Sequence, residues 1–344
     1  MKPTPHGLRR SAFLIFPLLV LPLIISAPSG ATTNAPPQTP ATTTTTAQAS
    51  PNDSGTLKFA VTVIGAKGGF LAGLTKEEFS VWEGKTEREI NYFSSDELPA
   101  SIAVLIDGSG SMQPRGLSAA RYGAARFLAQ SNPANEYLVG EFNQVWRGLI
   151  GWMQGPQALG EVSDNLMAEA TITRQSKSKG YGPTALYDAC DSALDALAAR
   201  AAPRRILLLI TDGQDNQSRI KFTQLRKKVQ ASDVQIYGIG ITDRSYPDSL
   251  NVAGQAILVE LSAVSGGRAY FPENKDRKEM DEVVDRIAAH LRYQYVIGFK
   301  PTNAAAAGKW NKVKIKVTPR DTKLKSLLVL SREGYFSPSA TPAP

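Results

Sequence analysis

The chain has 344 residues, which corresponds to about two domains at roughly 150 residues per domain. Apolar residues make up 42% of it and charged residues 20%, a balance that excludes a wholly disordered or fibrous protein. The single cysteine, Cys190, excludes an intrachain disulfide and a cysteine-based zinc or iron–sulfur site. The two histidines, His6 and His290, argue against most histidine-dependent enzymes.

The first 31 residues have the pattern of an export signal. Lys2, Arg9 and Arg10 precede an apolar run over 12–25, and small residues follow it. The run is shorter than the roughly 20 residues that a membrane span needs, so we expect a cleaved signal and no membrane span in the mature form. This predicts an exported protein that is periplasmic, at the cell surface or secreted. The formal net charge of +8 includes these three basic residues, and the modest remainder predicts no nucleic-acid partner.

The next segment, 32–56, is rich in proline and threonine, and we predict a disordered linker because it has almost no apolar bulk. Apolar and polar residues then alternate as in strands over 57–98, and they do so again over 293–338. Each part has too few strands to be stable alone, so we infer one β-sandwich whose two parts are separated by an inserted domain. Two independent half-domains are the alternative. Residues 339–344 are a tail.

The inserted domain, 99–292, alternates nearly continuous apolar runs with amphipathic stretches. This pattern predicts an α/β fold with a doubly wound, mostly parallel sheet that is covered by helices on both faces. Cys190 falls on the apolar face of one such helix, so we interpret it as a small core residue. The strands are predicted at SIAVLI, YLVGEF, RILLLIT, VQIYGIGI and 268–271, and the helices at 119–130, 186–197, 222–232, 253–264 and 278–291.

Oxygen-bearing side chains follow the predicted strands of this domain. Asp107, Ser109 and Ser111 come directly after the first strand, Asp212 follows the strand RILLLIT, and Thr184 lies in a loop that opens a helix. In open parallel sheets, ligands bind beyond the carboxyl ends of the strands, so we expect these side chains on one rim. Two carboxylates and three hydroxyls form an all-oxygen set that suits a hard divalent ion such as Mg²⁺.

A structural interpretation exists for each of these residues. Ser111 and Thr184 are also typical helix caps, and both aspartates are typical turn residues. Further polar residues are expected in loops on the same rim. They are either solvated loop residues or residues that contribute to the choice of partner: Asp215, Asn216, Asp243 and Arg244.

The three loops together resemble the metal-ion-dependent adhesion site of a von Willebrand factor type A (VWA) domain, whose pattern is D-x-S-x-S, a later threonine and a later aspartate. This chain has D-G-S-G-S at 107–111, G-P-T-A-L-Y-D-A around Thr184 and T-D-G around Asp212. The resemblance covers about 99–292. The flanking segments LTKEEFSVWEGK, INYF, YVIGFKP, WNKVKIKV and REGYFSP resemble bacterial exported proteins related to this domain.

The resemblance implies that Ser109, Ser111 and Thr184 supply hydroxyl ligands, and that Asp107 and Asp212 bind the ion directly or through water. The implied ion is Mg²⁺, with Mn²⁺ or Ca²⁺ as alternatives. A carboxylate from a partner protein can replace a water on such an ion, which predicts a metal-dependent protein-binding module for adhesion or scaffolding, with no catalytic residue.

Two other functions are alternatives. A hydrolase could use a metal-bound water near Ser109, but the chain offers no evident general base because His290 lies far along it. A charge-driven binder of anionic envelope polymers could use the lysines of the C-terminal β segment, Lys312, Lys314 and Lys316 among them. Lysines that alternate with apolar residues are, however, typical of an exposed strand face.

Overall fold

The computed structural model describes residues 55–130, 132–144, 146–175, 182–241, 249–273, 277–301, 308–321 and 326–337. The predicted export signal, residues 32–54 of the predicted linker and the tail 339–344 lie outside these ranges. The helices are α1 (Gln113–Ala129), α2 (Pro156–Gln175), α3 (Leu186–Ala198), α4 (Phe222–Ala231), α5 (Ser249–Ser265) and α6 (Arg277–Arg292). The strands are β1 (Leu57–Ile64), β2 (Phe79–Glu83), β3 (Thr86–Arg88), β4 (Ile90–Ser94), β5 (Ala100–Asp107), β6 (Glu136–Phe142), β7 (Trp146–Gln154), β8 (Arg204–Thr211), β9 (Val234–Gly240), β10 (Arg268–Tyr270), β11 (Gln294–Phe299), β12 (Trp310–Val317), β13 (Leu328–Leu330) and β14 (Gly334–Phe336).

The central sheet has the strand order β10-β9-β8-β5-β6-β7. Its strands are parallel, apart from β7, which runs antiparallel to β6. All eight residues of β5 are buried because helices cover both faces of the sheet. One core lies between the sheet and α1, α2 and α6, and the other lies between the sheet and α3, α4 and α5. The predicted α/β fold with a mostly parallel sheet is confirmed.

Two further antiparallel sheets join the segments on either side of this body. Their strand orders are β13-β1-β11-β4 and β14-β12-β2-β3, so each contains strands from before and after the central domain. Leu57 pairs with Phe299 in the first sheet, and Val313 pairs with Glu83 in the second. The two sheets share an apolar core that includes Phe59, Phe79, Ile297 and Ile315 among its members.

Two elements of the central domain were not predicted from the sequence, β7 and α2. The β7 segment contains two glycines and pairs with β6 at the edge of the sheet, so it lacks the continuous apolar run of a central strand. The α2 helix packs on α1, where the Ser163 hydroxyl donates to the Ala125 carbonyl over 2.9 Å. Within the described residues, no helix is both long and apolar enough to cross a membrane.

The predicted core role of Cys190 is confirmed, since its side chain is fully buried in the core beneath α3. Burial raises the pKa of its thiol far above the usual range, which keeps the sulfur protonated.

The imidazole of His290 lies at the end of α6, fully buried among aromatic rings. The ring centroids of Phe70 and Tyr237 lie 4.7 and 5.6 Å from it. Neither ring nitrogen has a hydrogen-bond partner among the described residues. Burial, with smaller contributions from Arg268 and Arg286, lowers the pKa of His290 to about 3. This histidine is therefore a neutral packing residue.

We predict that His290 makes the fold acid-sensitive. Its pKa is lowered from 6.5 to about 3 on folding, so the unfolded chain takes up the proton first. Its contribution to the unfolding free energy is complete above about pH 6.5 and falls as the pH drops towards 3, by about 5 kcal/mol in total. Urea unfolding at several pH values should show that His290→Phe loses this part of the acid dependence. An identical pH profile in the variant would contradict the assignment.

Candidate functional site

The loop after β5 carries three of the predicted site residues. Asp107 is the last residue of β5 and its side chain is fully buried. The backbone N–H of Ser109 donates to Asp107 Oδ1 over 2.9 Å, and the hydroxyl oxygens of Ser109 and Ser111 are 3.0 Å apart. Ser109 is buried, whereas Ser111 is exposed in a short 3₁₀ turn that precedes α1. The loop thus places one carboxylate and two hydroxyls next to each other.

Asp212 lies at the same edge because β8 is the parallel neighbour of β5. Ile106 pairs with Ile210, so the residues that follow them, Asp107 and Thr211, are level and Asp212 is one position farther on. The Thr211 hydroxyl donates to Asp107 Oδ2 over 2.5 Å and accepts the N–H of Gly213 over 3.0 Å. Thr211 therefore joins the two aspartate loops.

Thr184 enters the site from a third loop. The N–H of Gly110 donates to the carbonyl of Gly182 over 3.1 Å, which ties this loop to the one after β5. The N–H of Thr184 donates to Asn216 Oδ1 over 2.8 Å, and the N–H of Asn216 donates back to the Thr184 carbonyl over 3.0 Å. The Thr184 side chain is buried. All five predicted residues thus belong to three loops that contact one another at one edge of the sheet.

The helix-cap interpretation does not describe Ser111 and Thr184. The residue before α3 is Ala185, and the residue before α1 is Met112, and neither makes a side-chain cap hydrogen bond. Asp215 accepts hydrogen bonds from the N–H of Tyr187 and from the Ser218 hydroxyl, so it holds the loop instead of facing solvent freely. Asp243 and Arg244 lie outside the described residues.

Two hydrogen-bonding roles at this edge, those of Thr211 and Asn216, were not predicted from the sequence. The role of Thr211 could have been predicted from the sequence. Thr211 ends one strand and Asp107 ends the neighbouring parallel strand, so the hydroxyl and the carboxylate lie level. The role of Asn216 in holding Thr184 had no local signal, since the two residues are 32 positions apart.

The electrostatics of the site centre on Asp107. Burial and, second to it, the charge of the nearby Asp212 raise the pKa of this carboxyl from 3.8 to about 7, although the hydrogen bonds from Ser109 and Thr211 oppose the shift. Two carboxylates that repel each other in a buried position are a typical setting for a cation.

The side chains present fit a hard divalent cation. Two carboxylates match its charge, and neutral hydroxyl oxygens complete an all-oxygen donor set. In the described part of the chain, no group of three or more histidine, cysteine or acidic side chains is arranged to hold a metal, so soft metals have no comparable site there.

The family model of the von Willebrand factor type A domain matches residues 101–286. The chain belongs to the VWA family. Its sequence has no match among curated proteins. The family assignment agrees with the parallel sheet, whose strands β5 to β10 and covering helices lie within this region or at its ends.

Several solved structures are similar to the chain in fold. The PilB minor pilin from Streptococcus sanguinis is 10% identical, with a TM-score of 0.40, and the match covers 57% of this chain and 62% of the pilin. A von Willebrand factor type A protein from Catenulispora acidiphila is 10% identical, with a TM-score of 0.42, over 74% of this chain and 75% of that one. Manganese-loaded Plasmodium vivax TRAP protein is 16% identical, with a TM-score of 0.41, over 72% of this chain and 98% of that one. This chain thus spans less than two thirds of the pilin's length, and the family assignment depends on the match over 101–286.

We predict that Asp107 makes the ion-free protein less stable as the pH rises. The folded pKa of about 7 is above the ordinary value of 3.8, so its contribution to stability is complete below about pH 4 and is lost as the pH rises through 7. The total is of the order of 4 kcal/mol. In the presence of chelator, Asp107→Asn should therefore be more stable than the natural chain at pH 8 and differ little at pH 4, as measured by urea unfolding. Equal stability of the two proteins at pH 8 would contradict this electrostatic account.

Proposed function

We propose that this protein is an exported, metal-dependent protein-binding module that serves adhesion or scaffolding. Membership of the VWA family supports a binding role in general. The observation that supports metal dependence is the pair Asp107 and Asp212, brought together at one sheet edge with hydroxyls around them. The proposed ligands are Asp107, Ser109, Ser111, Thr184 and Asp212, and the proposed ion is Mg²⁺, with Mn²⁺ or Ca²⁺ as alternatives.

The ion, when bound, would supply a positive charge that accepts an Asp or Glu carboxylate from a partner protein. The chain's own residues prepare this position. Thr211 orients the Asp107 carboxylate, and Asn216 holds the backbone of Thr184. Because these hydrogen bonds already hold Asp107 and Thr184 in place, the proposed ligand atoms need little rearrangement when the cation binds.

Among the described residues at this edge, none supports the hydrolase alternative. The histidine considered as its general base, His290, is packed among Phe70, Tyr237 and Tyr270, and its low pKa of about 3 reflects burial there. We therefore propose a non-enzymatic role.

The alternative of charge-driven binding rests on the lysines of β12. Lys312, Lys314 and Lys316 are exposed, and Lys316 Nζ lies 4.4 Å from the centre of the Trp82 ring. A lysine ammonium that lies over an aromatic ring on the neighbouring strand stabilises an exposed sheet face. These contacts favour the structural interpretation of the lysines.

We also propose the domain organisation and the destination of the protein. The pairing of β1 with β11 and of β2 with β12 supports a sandwich that is formed by 57–98 and 293–338 and interrupted by the VWA domain at 99–292. The signal over 1–31 is proposed to direct export to the periplasm, the cell surface or the medium.

Loss of one aspartate should abolish ion binding. We expect Asp212→Ala to weaken Mg²⁺ binding at least about 100-fold, because one carboxylate cannot balance a divalent charge. The matched control is Asp233→Ala, which removes an acid paired with Arg205 instead. Isothermal titration calorimetry with Mg²⁺ measures both, and circular dichroism checks folding. Unchanged Mg²⁺ affinity in a folded Asp212→Ala variant would refute the proposed site.

Partner capture should depend on the ion. We expect proteins retained from envelope or culture fractions in Mg²⁺ to be released by chelator, whereas charge-driven contacts would instead fade as salt is added. A variant in which Lys312, Lys314 and Lys316 are replaced by glutamine should capture the same partners. Retention that resists chelator but is lost in salt or in the lysine variant would favour the polymer-binding alternative.

A further inference from the structure

A third carboxylate lies against the loop that carries the proposed ligands. Glu141 is the last residue but one of β6, and it pairs in register with Ile106 of β5. The N–H of Gly108 donates to the carbonyl of Phe142 over 2.7 Å, which holds the end of β6 beside the loop. A methyl group added at Gly108 would lie 2.4 Å from Glu141 Oε1. The carboxylate therefore occupies the space that a side chain at Gly108, between Asp107 and Ser109, would fill.

Arg121 of α1 holds this carboxylate in place. Its Nη2 and Nε atoms donate to Glu141 Oε2 over 2.8 and 3.2 Å. Its Nη1 donates to Thr173 Oγ1 over 2.6 Å, so the guanidinium is itself fixed by α2. The other carboxylate oxygen, Oε1, has no hydrogen-bond partner among the described residues and is the one that lies on Gly108. The arginine thus anchors one oxygen and leaves the other against the loop.

We propose that Glu141 is an outer carboxylate of the ion site, whose negative charge increases the affinity of the site for a divalent cation. This inference rests on the proposed function. Its physical basis is the attraction between a negative charge and a nearby cation in a partly buried environment, where solvent screens it less than in bulk water. The side chain of Glu141 is only 20% exposed, and that of Arg121 is 16% exposed. Because Arg121 offsets part of the negative charge, we expect Glu141 to matter less than Asp107 or Asp212.

A purely structural role for this ion pair makes a different prediction. If Glu141 only ties β6 to α1, its loss lowers stability and leaves ion affinity unchanged. If it acts on the ion site, its loss lowers the affinity of a protein that is still folded. The absence of a side chain at Gly108 allows the two roles to be separated, because an alanine there displaces the carboxylate while Glu141 and Arg121 both remain.

The test is a double-mutant cycle with Mg²⁺ as the probe. We expect Glu141→Gln to weaken Mg²⁺ binding about tenfold, and Gly108→Ala to weaken it by a similar factor, since Coulomb attraction falls with distance. In a Glu141→Ala background, Gly108→Ala should weaken binding no further, because the group that it displaces is gone. The matched control is Glu169→Gln, which removes the other acid near Arg121, 3.4 Å away and 52% exposed. Calorimetry gives the affinities and urea unfolding gives the stabilities.

The outcomes separate this inference from the proposed function. Normal Mg²⁺ affinity in both Glu141→Gln and Gly108→Ala, with binding lost in Asp212→Ala, would overturn the role of Glu141 and leave the ion site standing. A natural chain that binds no Mg²⁺, Mn²⁺ or Ca²⁺ would overturn both. If Glu141→Gln does not fold, Gly108→Ala still decides the question, because it keeps both Glu141 and Arg121: weaker Mg²⁺ binding by the folded variant supports the role, and normal affinity overturns it.

Discussion

The contact on which the site depends is the one between the ends of two parallel strands. Because β5 and β8 are hydrogen-bonded neighbours in register, the buried carboxylate of Asp107 lies level with the Thr211 hydroxyl and next to Asp212. A buried acid costs free energy when it is charged, and a second acid beside it adds to that cost. Hydrogen bonds from Ser109 and Thr211 offset only part of it, so the arrangement fits a bound cation better than an empty turn.

The two antiparallel sheets are attached at the other end of the central sheet. Arg204, at the start of β8, donates to the carbonyls of Leu98 and Leu291, which lie where the chain enters the central domain and leaves it. Arg332, after β13, donates to the carbonyls of Ser232 and Lys58 and so joins the antiparallel sheets to the central domain a second time. Each guanidinium thus bridges carbonyls from two separate segments of the chain. Among the described residues, these attachments lie at the amino ends of the strands, away from the loops that carry the proposed ligands.

Two glycines in the loops of the site allow another part of the chain to approach closely, because they have no side chain. At Gly213, φ is +82°, and an added methyl group would lie 2.2 Å from the carbonyl oxygen of Gly254. This packs the start of α5 directly on the loop that contains Asp212. At Gly108 the close neighbour is the Glu141 carboxylate instead. The tight turns therefore have two functions, since they let the chain turn after each strand and let other groups reach the site.

Patterns in the linear sequence are enough to predict the fold class and the family. Continuous apolar runs after residue 99 required a sheet buried on both faces, and the alternating patterns before and after it required half-exposed strands. Both follow from local periodicity, which is readable in a linear chain. The sequence also predicts that five residues lie in the loops that follow strands or open a helix: Asp107, Ser109, Ser111, Thr184 and Asp212. Their role as ligands stays a prediction.

The residues that surround those five become visible in the folded chain alone. Thr211, Asn216 and Glu141 act through partners that are tens of positions or more away in the chain, so no window of sequence contains both members of a contact. The edge strand β7 and the helix α2 were missed for a related reason, because their apolar pattern is weak and packing against β6 and α1 stabilises them. Periodicity is a property of neighbours along the chain, whereas the shift in the pKa of Asp107 depends on burial and on charges that folding alone brings together.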